Sequence, residues 1–246
     1  MRNIKLLIEY EGTNYAGWQV QSDQPTVQGT IIEAIKGLTG EGVTLTGASR
    51  TDSGVHALGQ VANFRTRSGI PEERVRSALN ALLPEDIAVR EATEAGADFD
   101  SRRDARSKTY LYRVLNRPFR SALLRRYSWF VSRPLDVGLM REASRHFVGG
   151  EKDFSSFRAA GSDALHSVRE VLSVDINENG EGLIEFEVRG TAFLRHMVRI
   201  MVGTLVTVGR GRIGPAEVGA IIEARDRTIA PLTAPPQGLF LVNVEY

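Results

Sequence analysis

Hydrophobic periodicity switches along this chain between a two-residue repeat and a three-to-four-residue repeat, and that switching limits the possible folds more than any other feature. Residues 4–10 (Ile-Lys-Leu-Leu-Ile-Glu-Tyr) read as a strand running into a turn at Gly12. From Thr26 onward, Val27, Ile31, Ala34, Ile35 and Leu38 recur at helical spacing, and Gly40 closes the helix. Residues 42–46 and 59–64 suit two short strands. Residues 71–83 read as a helix with proline in its first turn and Glu72 and Glu73 near the positive end of its dipole. Residues 87–94 offer a fourth strand. The order β-α-β-β-α-β is that of a ferredoxin-like unit.

A polar, basic stretch at 101–107 reads as the junction between a domain of residues 1–104 and another of residues 105–246. Beyond it, residues 108–115 alternate as a strand, with a second at 127–131 and a helix at 135–147. Strands at 168–176 and 183–189 are joined through a turn at 177–180, Asn-Glu-Asn-Gly. A long helix at 193–209, a shorter one at 215–224 and a last strand at 239–245 complete the chain. The expected class is α+β: two ferredoxin-like, RRM-like halves, each an antiparallel sheet backed by helices.

An apolar fraction of 42% and a charged fraction of 25% are those of a globular protein. No apolar run is long enough to span a bilayer, and the N-terminus runs straight into a strand, so the expected location is the cytoplasm, without a membrane. The absence of cysteine removes disulfides, thiolate zinc sites and cysteine nucleophiles together. The four histidines, His56, His146, His166 and His196, show no metal-ligand spacing, and neither a phosphate-binding Walker loop nor a dinucleotide fingerprint is present. Neither metal nor cofactor is implied.

The formal net charge is only +1, yet its distribution is uneven. Between Ser101 and Arg133 stand ten basic residues and one acid, Asp104, a local +9. Most are arginines, whose planar forks grip phosphate oxygens in pairs. Arg102, Arg103, Arg106, Arg125 and Arg126 are candidate contacts to an RNA backbone.

Residues 47–57, Gly-Ala-Ser-Arg-Thr-Asp-Ser-Gly-Val-His-Ala, link two predicted strands. Arg50 and Asp52 are two apart and share a face in extended chain. By spacing alone the segment is equally an Asx-type turn, in which the aspartate caps its own backbone. Asp52 has no carboxylate neighbour in sequence, which leaves open a partner delivered by the fold and hence a two-carboxylate hydrolase.

As a whole, Arg50-Thr51-Asp52-Ser53-Gly54-Val55-His56 resembles the active-site signature of the tRNA pseudouridine synthases, the bacterial A group in particular. Ser49 and Ser53 stand where that family more often has Gly and Ala. Four further segments carry the resemblance in the same order: Tyr10-x-Gly12-x-x-Tyr15-x-Gly17-Trp18-Gln19, Lys108-x-Tyr110-x-Tyr112, Met197-Val198-Arg199, and Ala234-Pro235-x-x-Gly238-Leu239-x-Leu241. The resemblance implies Asp52 as the catalytic carboxylate and Arg199 as its ion-pair partner. Tyr110 and Leu239 would line the uracil, and Arg50 would contact RNA. It implies a cleft between the two halves, uridines at positions 38–40 of the tRNA anticodon arm as targets, a homodimer, and no cofactor. Tyr112 is read as a core residue. Arg195 and Arg199, four apart, are expected one turn apart on one helix face.

Two other functions remain compatible with the residues. One is a non-catalytic RNA-binding protein whose strand aromatics stack bases. The other is a nucleoside or glycoside hydrolase using Asp52, which would release free base.

Overall fold

The computed structural model describes residues 1–161 and 165–246. By internal contacts the chain forms two units, Met1–Arg106 with Phe240–Tyr246, and Ser107–Leu239.

In the first unit, β1 (Arg2–Tyr10), α1 (Val27–Thr39), β2 (Leu45–Gly47), β3 (His56–Thr66), α2 (Glu72–Asn80) and β4 (Ile87–Ala95) follow the expected β-α-β-β-α-β order. The sheet order β4-β1-β3, with β2 on β3, is antiparallel throughout. Thr26 caps α1 by accepting the Gly29 N–H, and Gly40 ends it in the left-handed conformation at φ 74°. Val27, Ile31, Ala34 and Ile35 bury one face of α1. The second helix stops at Asn80 instead of Leu83. The Asn80 side chain closes it against β4, accepting the Val89 N–H (2.7 Å) and donating to the Val89 carbonyl (2.9 Å).

The polar stretch after β4 is anchored. Ser101 is buried, donating to the Thr46 carbonyl and receiving a bond from Tyr246 Oη to its own carbonyl. The ammonium of Lys5 lies 5.4 Å from the Phe99 ring centre and 4.8 Å from that of Tyr246.

In the second unit, β5 (Ser107–Asn116), β6 (Trp129–Val131), α3 (Val137–Ser144), β7 (Glu151–Asp153), β8 (Val168–Asn179), β9 (Leu183–Gly190), α4 (Met197–Gly209) and α5 (Glu217–Ala224) are the regular elements. The sheet runs β5-β9-β8-β7, antiparallel, with β6 parallel to β5. The short β7 has no period-2 signal long enough to announce it. The 177–180 turn expected from Asn-Gly is displaced, because Asn177, Glu178 and Asn179 stay in register with Glu185, Ile184 and Leu183. Glu181, at φ 66°, and Gly182, at φ 79°, make the bend. Helix α4 begins at Met197 and not at 193, since His196 takes a left-handed φ of 61° that interrupts helical geometry. Among the described residues no helix is long and apolar enough to cross a membrane.

The last strand, β10 (Leu239–Glu245), pairs in parallel with the start of β3, Phe240 with His56 and Leu241 with Ala57. Here the backbones close in: a Cβ on Gly59 would lie 2.2 Å from the Val242 carbonyl oxygen. Gly59→Ala is therefore expected to destabilise the protein by about 1–3 kcal/mol. A denaturant melt matching the wild type would show that this contact does not hold β10.

Candidate active site

The loop between β2 and β3 carries Arg50 and Asp52, and the segment after β1 holds it on one side. The Trp18 N–H donates to the Thr51 carbonyl at 3.0 Å, and Tyr10 Oη and Thr51 Oγ1 share a 2.7 Å hydrogen bond. Ser53 Oγ donates to the Tyr15 carbonyl at 3.1 Å. The Gly12 N–H donates to Nδ1 of buried His56 at 3.0 Å, so that nitrogen is an acceptor and the 3.7 Å approach of Glu11 to it is not an ion pair.

Two glycines make this closeness possible. A Cβ on Gly12 would lie 2.0 Å from the Val55 carbonyl oxygen; one on Gly17, at φ 102°, would lie 2.7 Å from that of Thr51. A third close approach seats the Trp18 ring over Gly47, whose Cβ would fall 2.5 Å from the indole. The clamp is in turn fixed to helix α1, whose first free N–H groups need acceptors. Val27 and Gln28 donate to the Gly17 and Trp18 carbonyls.

On the other side Gln60, fully buried, brackets the loop by accepting the Ser49 N–H and donating to the Ser49 carbonyl. Ser49 is not among the residues of positive φ, so its Cβ is accommodated without strain. The Val55 N–H bonds back to the Asp52 carbonyl (3.2 Å) with Gly54 at φ 75° between them. Asp52 is half-buried at this turn and Arg50 is exposed.

In the second unit, Tyr110 is buried on β5 with the Phe193 ring edge-on at 5.2 Å. Tyr112, on the same strand face, donates its hydroxyl to the Pro235 carbonyl at 2.7 Å, and burial pushes its ionisation up. The Arg199 charge works against that rise. Arg199, in the first turn of α4, is joined twice to Ala234. Its Nε donates to the Ala234 carbonyl at 2.8 Å, and its own carbonyl accepts the Ala234 N–H at 3.0 Å. Gly203, one turn further on, lets the helix touch this segment; a Cβ there would meet the Leu232 carbonyl oxygen at 1.9 Å. Gly238 rests on the Tyr112 ring, and Leu239 beside it is buried. Arg199, Tyr112 and the 234–239 segment thus form one packed group.

Arg195 does not share a helix face with Arg199, because it precedes α4. It donates to the Ala160 and Gly161 carbonyls, both at 3.2 Å. Arg102, Arg103 and Arg106 are exposed in the first unit, Arg125 and Arg126 in the second. Arg103 pairs with Asp104 at 3.0 Å in full solvent, where such a pair contributes little. Among the described residues no three His, Cys, Asp or Glu side chains gather to hold a metal ion. A cavity of 680 Å³ in the first unit, lined by Val20, Gln21, Thr26, Thr30 and Leu82, does not include Asp52.

The pattern Tyr-x-Gly-x-x-Tyr-x-Gly-Trp is legible in sequence, but its task, clamping the Asp52 loop, appears only in three dimensions. The family model described as tRNA pseudouridine synthase matches residues 6–103 and 143–246. The chain belongs to the tRNA pseudouridine synthase family. Among synthase relatives, the tRNA pseudouridine synthase A of Acetivibrio thermocellus is 53% identical over 246 residues, the whole of both chains. That of Caldicellulosiruptor bescii is 48% identical over the same span of both. The Myxococcus xanthus protein of the same name is 47% identical over all of this chain and 92% of its own. Among solved structures, a chain of the crystal structure of a Cbf5-Nop10-Gar1 complex aligns with 96% of this chain and 57% of its own. At 11% identity and a TM-score of 0.36 that likeness carries no argument.

The clamp on the synthase loop makes a testable distinction between two glycines of positive φ. A Cβ on Gly40 meets nothing within 4 Å, whereas Gly17 faces backbone. Gly40→Ala should cost about 1 kcal/mol from φ alone, and Gly17→Ala about 1–3 kcal/mol more through overpacking. Equal melting shifts for the two variants would contradict the clamp.

Proposed function

We propose that the protein converts uridine to pseudouridine in tRNA. Family membership over the length of the chain, with the Arg-Thr-Asp-x-Gly-Val-His loop in place, is the observation that carries this reading. The net change is an isomerisation: the bond from ribose C1′ to uracil N1 breaks, one from C1′ to C5 forms, C5 loses a proton and N1 gains one. No redox partner is needed, so none of the chain's groups must carry electrons.

In this reading Asp52 is the reacting carboxylate. Two routes suit it: attack on C1′, or removal of a ribose proton to give a glycal. Arg199 is the ion-pair partner of Asp52 in this reading. Its attachment to Ala234 through Nε supports a guanidinium held in one orientation. Tyr110 and Leu239 flank the uracil, and the Tyr110 hydroxyl serves the C5 proton step. Arg50, exposed on the same loop as Asp52, contacts the RNA and helps fill the space of the flipped nucleotide. Extruding that nucleotide costs about a few kcal/mol. Arg102, Arg103, Arg106, Arg125 and Arg126 offset it through backbone phosphates. Uridines 38–40 of the anticodon arm are the targets, a homodimer is the working unit, and the cytoplasm, where tRNA is matured, is the location.

Undermodified tRNA labelled with tritium at uridine C5 tests the reaction. Label release with pseudouridine in the digest and no free uracil is expected. Free uracil would indicate a hydrolase, and binding without label release a non-catalytic RNA-binding protein. The Arg199 assignment is read from a rate–pH profile on the same tRNA. Arg199→Leu should lose about a hundredfold or more at neutral pH, since a desolvated charge is left without its partner. Arg199→Lys should fall between Leu and wild type, as an ammonium lacks the fork. A Leu variant that tracks wild type across the range would remove Arg199 from the site.

A further inference from the structure

At the C-terminal end of α4 three arginines meet without an acid. Arg210 is the residue that ends the helix, and Arg212 follows after Gly211, which turns at φ 66°. Arg133 is delivered by the segment after β6. Asn116 holds that segment by donating to the Val131 and Arg133 carbonyls and accepting the Leu135 N–H. The Asp136 N–H then ties the same segment to the Gly209 carbonyl at 2.8 Å. The Arg210 guanidinium lies over the Trp129 ring, 5.8 Å from its centre.

A helix C-terminus favours a cation through its partial negative charge, roughly half an electron. That accounts for one arginine, not three. Among the described residues no carboxylate is paired with Arg133, Arg210 or Arg212. Asp136, the nearest acid along the chain, turns its Oδ1 to the Leu139 N–H. Arg210 Nε is moreover buried with no acceptor, which is costly for any polar donor. Burial lowers the Arg210 pKa first, and the charges of Arg212 and Arg133 lower it further. Beyond the helix dipole and the Trp129 ring, nothing in the fold offsets the crowding of three cations; an anion with several oxygens would.

We propose that Arg133, Arg210 and Arg212 form a seat for a backbone phosphate of bound tRNA, with Trp129 beneath the central guanidinium. This rests on the tRNA reading above and carries RNA contact from Arg133, the last residue of the basic segment, to Arg210 and Arg212 at the end of α4. The source of the phosphate is the RNA backbone because two of the three forks, Arg133 and Arg212, are exposed and open to a polyanion along the surface.

The test is the dissociation constant for tRNA as a function of salt for wild type, Arg210→Gln, Arg212→Gln and Arg76→Gln. Arg76 is exposed on α2 and controls for loss of one charge elsewhere. Arg210→Gln and Arg212→Gln should each weaken binding and lower the logarithmic salt slope, by about 0.7–0.9 for a lost phosphate contact. Arg76→Gln should leave the slope as it is. Because Arg212 is exposed, its variant keeps the test valid should Arg210→Gln misfold. Unchanged slopes in the seat variants, with a wild type that binds and isomerises tRNA, overturn the seat alone. An equal fall in Arg76→Gln also overturns it, since general charge would then explain the effect. A wild type that does not bind tRNA overturns both the seat and the proposed function.

Discussion

Everything assigned to Asp52 depends on how its neighbour Thr51 is held. A carboxylate that must meet one carbon or one proton needs its backbone fixed to within a fraction of an ångström. Thr51 is gripped at both its carbonyl and its hydroxyl, by the Trp18 N–H and Tyr10 Oη. Those groups are not free to yield. Trp18 is wedged on Gly47 and its carbonyl accepts a free N–H at the start of α1. Strand, loop and helix terminus thus converge on one peptide.

The second unit repeats the device with different chemistry. A single residue, Arg199, uses both backbone and side chain to hold Ala234, while Tyr112 holds Pro235. The helix can approach this segment because Gly203 has no side chain to block it. A guanidinium on a largely buried helix is costly unless its donors are occupied. The carbonyl of Ala234 occupies one and in doing so sets the plane of the rest.

Much of this was legible in the chain itself. The element order of the first unit follows from periodicity and from terminal signals such as Thr26 and Gly40, because those signals are local. The signature loop was legible as a motif, since Arg50, Thr51 and Asp52 are contiguous. What sequence does not carry is close approach between distant backbones. Gly12 and Gly17 look like turn residues, yet their role is to admit the carbonyls of Val55 and Thr51. Nothing local announces that the chain's last strand lies parallel to β3. Arg195 and Arg199 have helical spacing, but the left-handed backbone of His196 separates them, and a lone histidine gives no warning of that. The unpaired charge at Arg210 is equally silent in sequence, where an arginine after a helix reads as an ordinary cap.

The central claim is that Asp52 does chemistry and does not merely hold its own turn. The direct measurement is single-turnover conversion of uridine in tRNA by Asp52→Asn, taken together with its tRNA affinity and melting temperature. Asparagine keeps the size and the capping capacity of the side chain but cannot act as nucleophile or base. The account predicts abolished turnover, affinity within about a few-fold of wild type, and an unchanged melt. Turnover within about tenfold of wild type would contradict it, and would return Asp52 to the role of a turn residue.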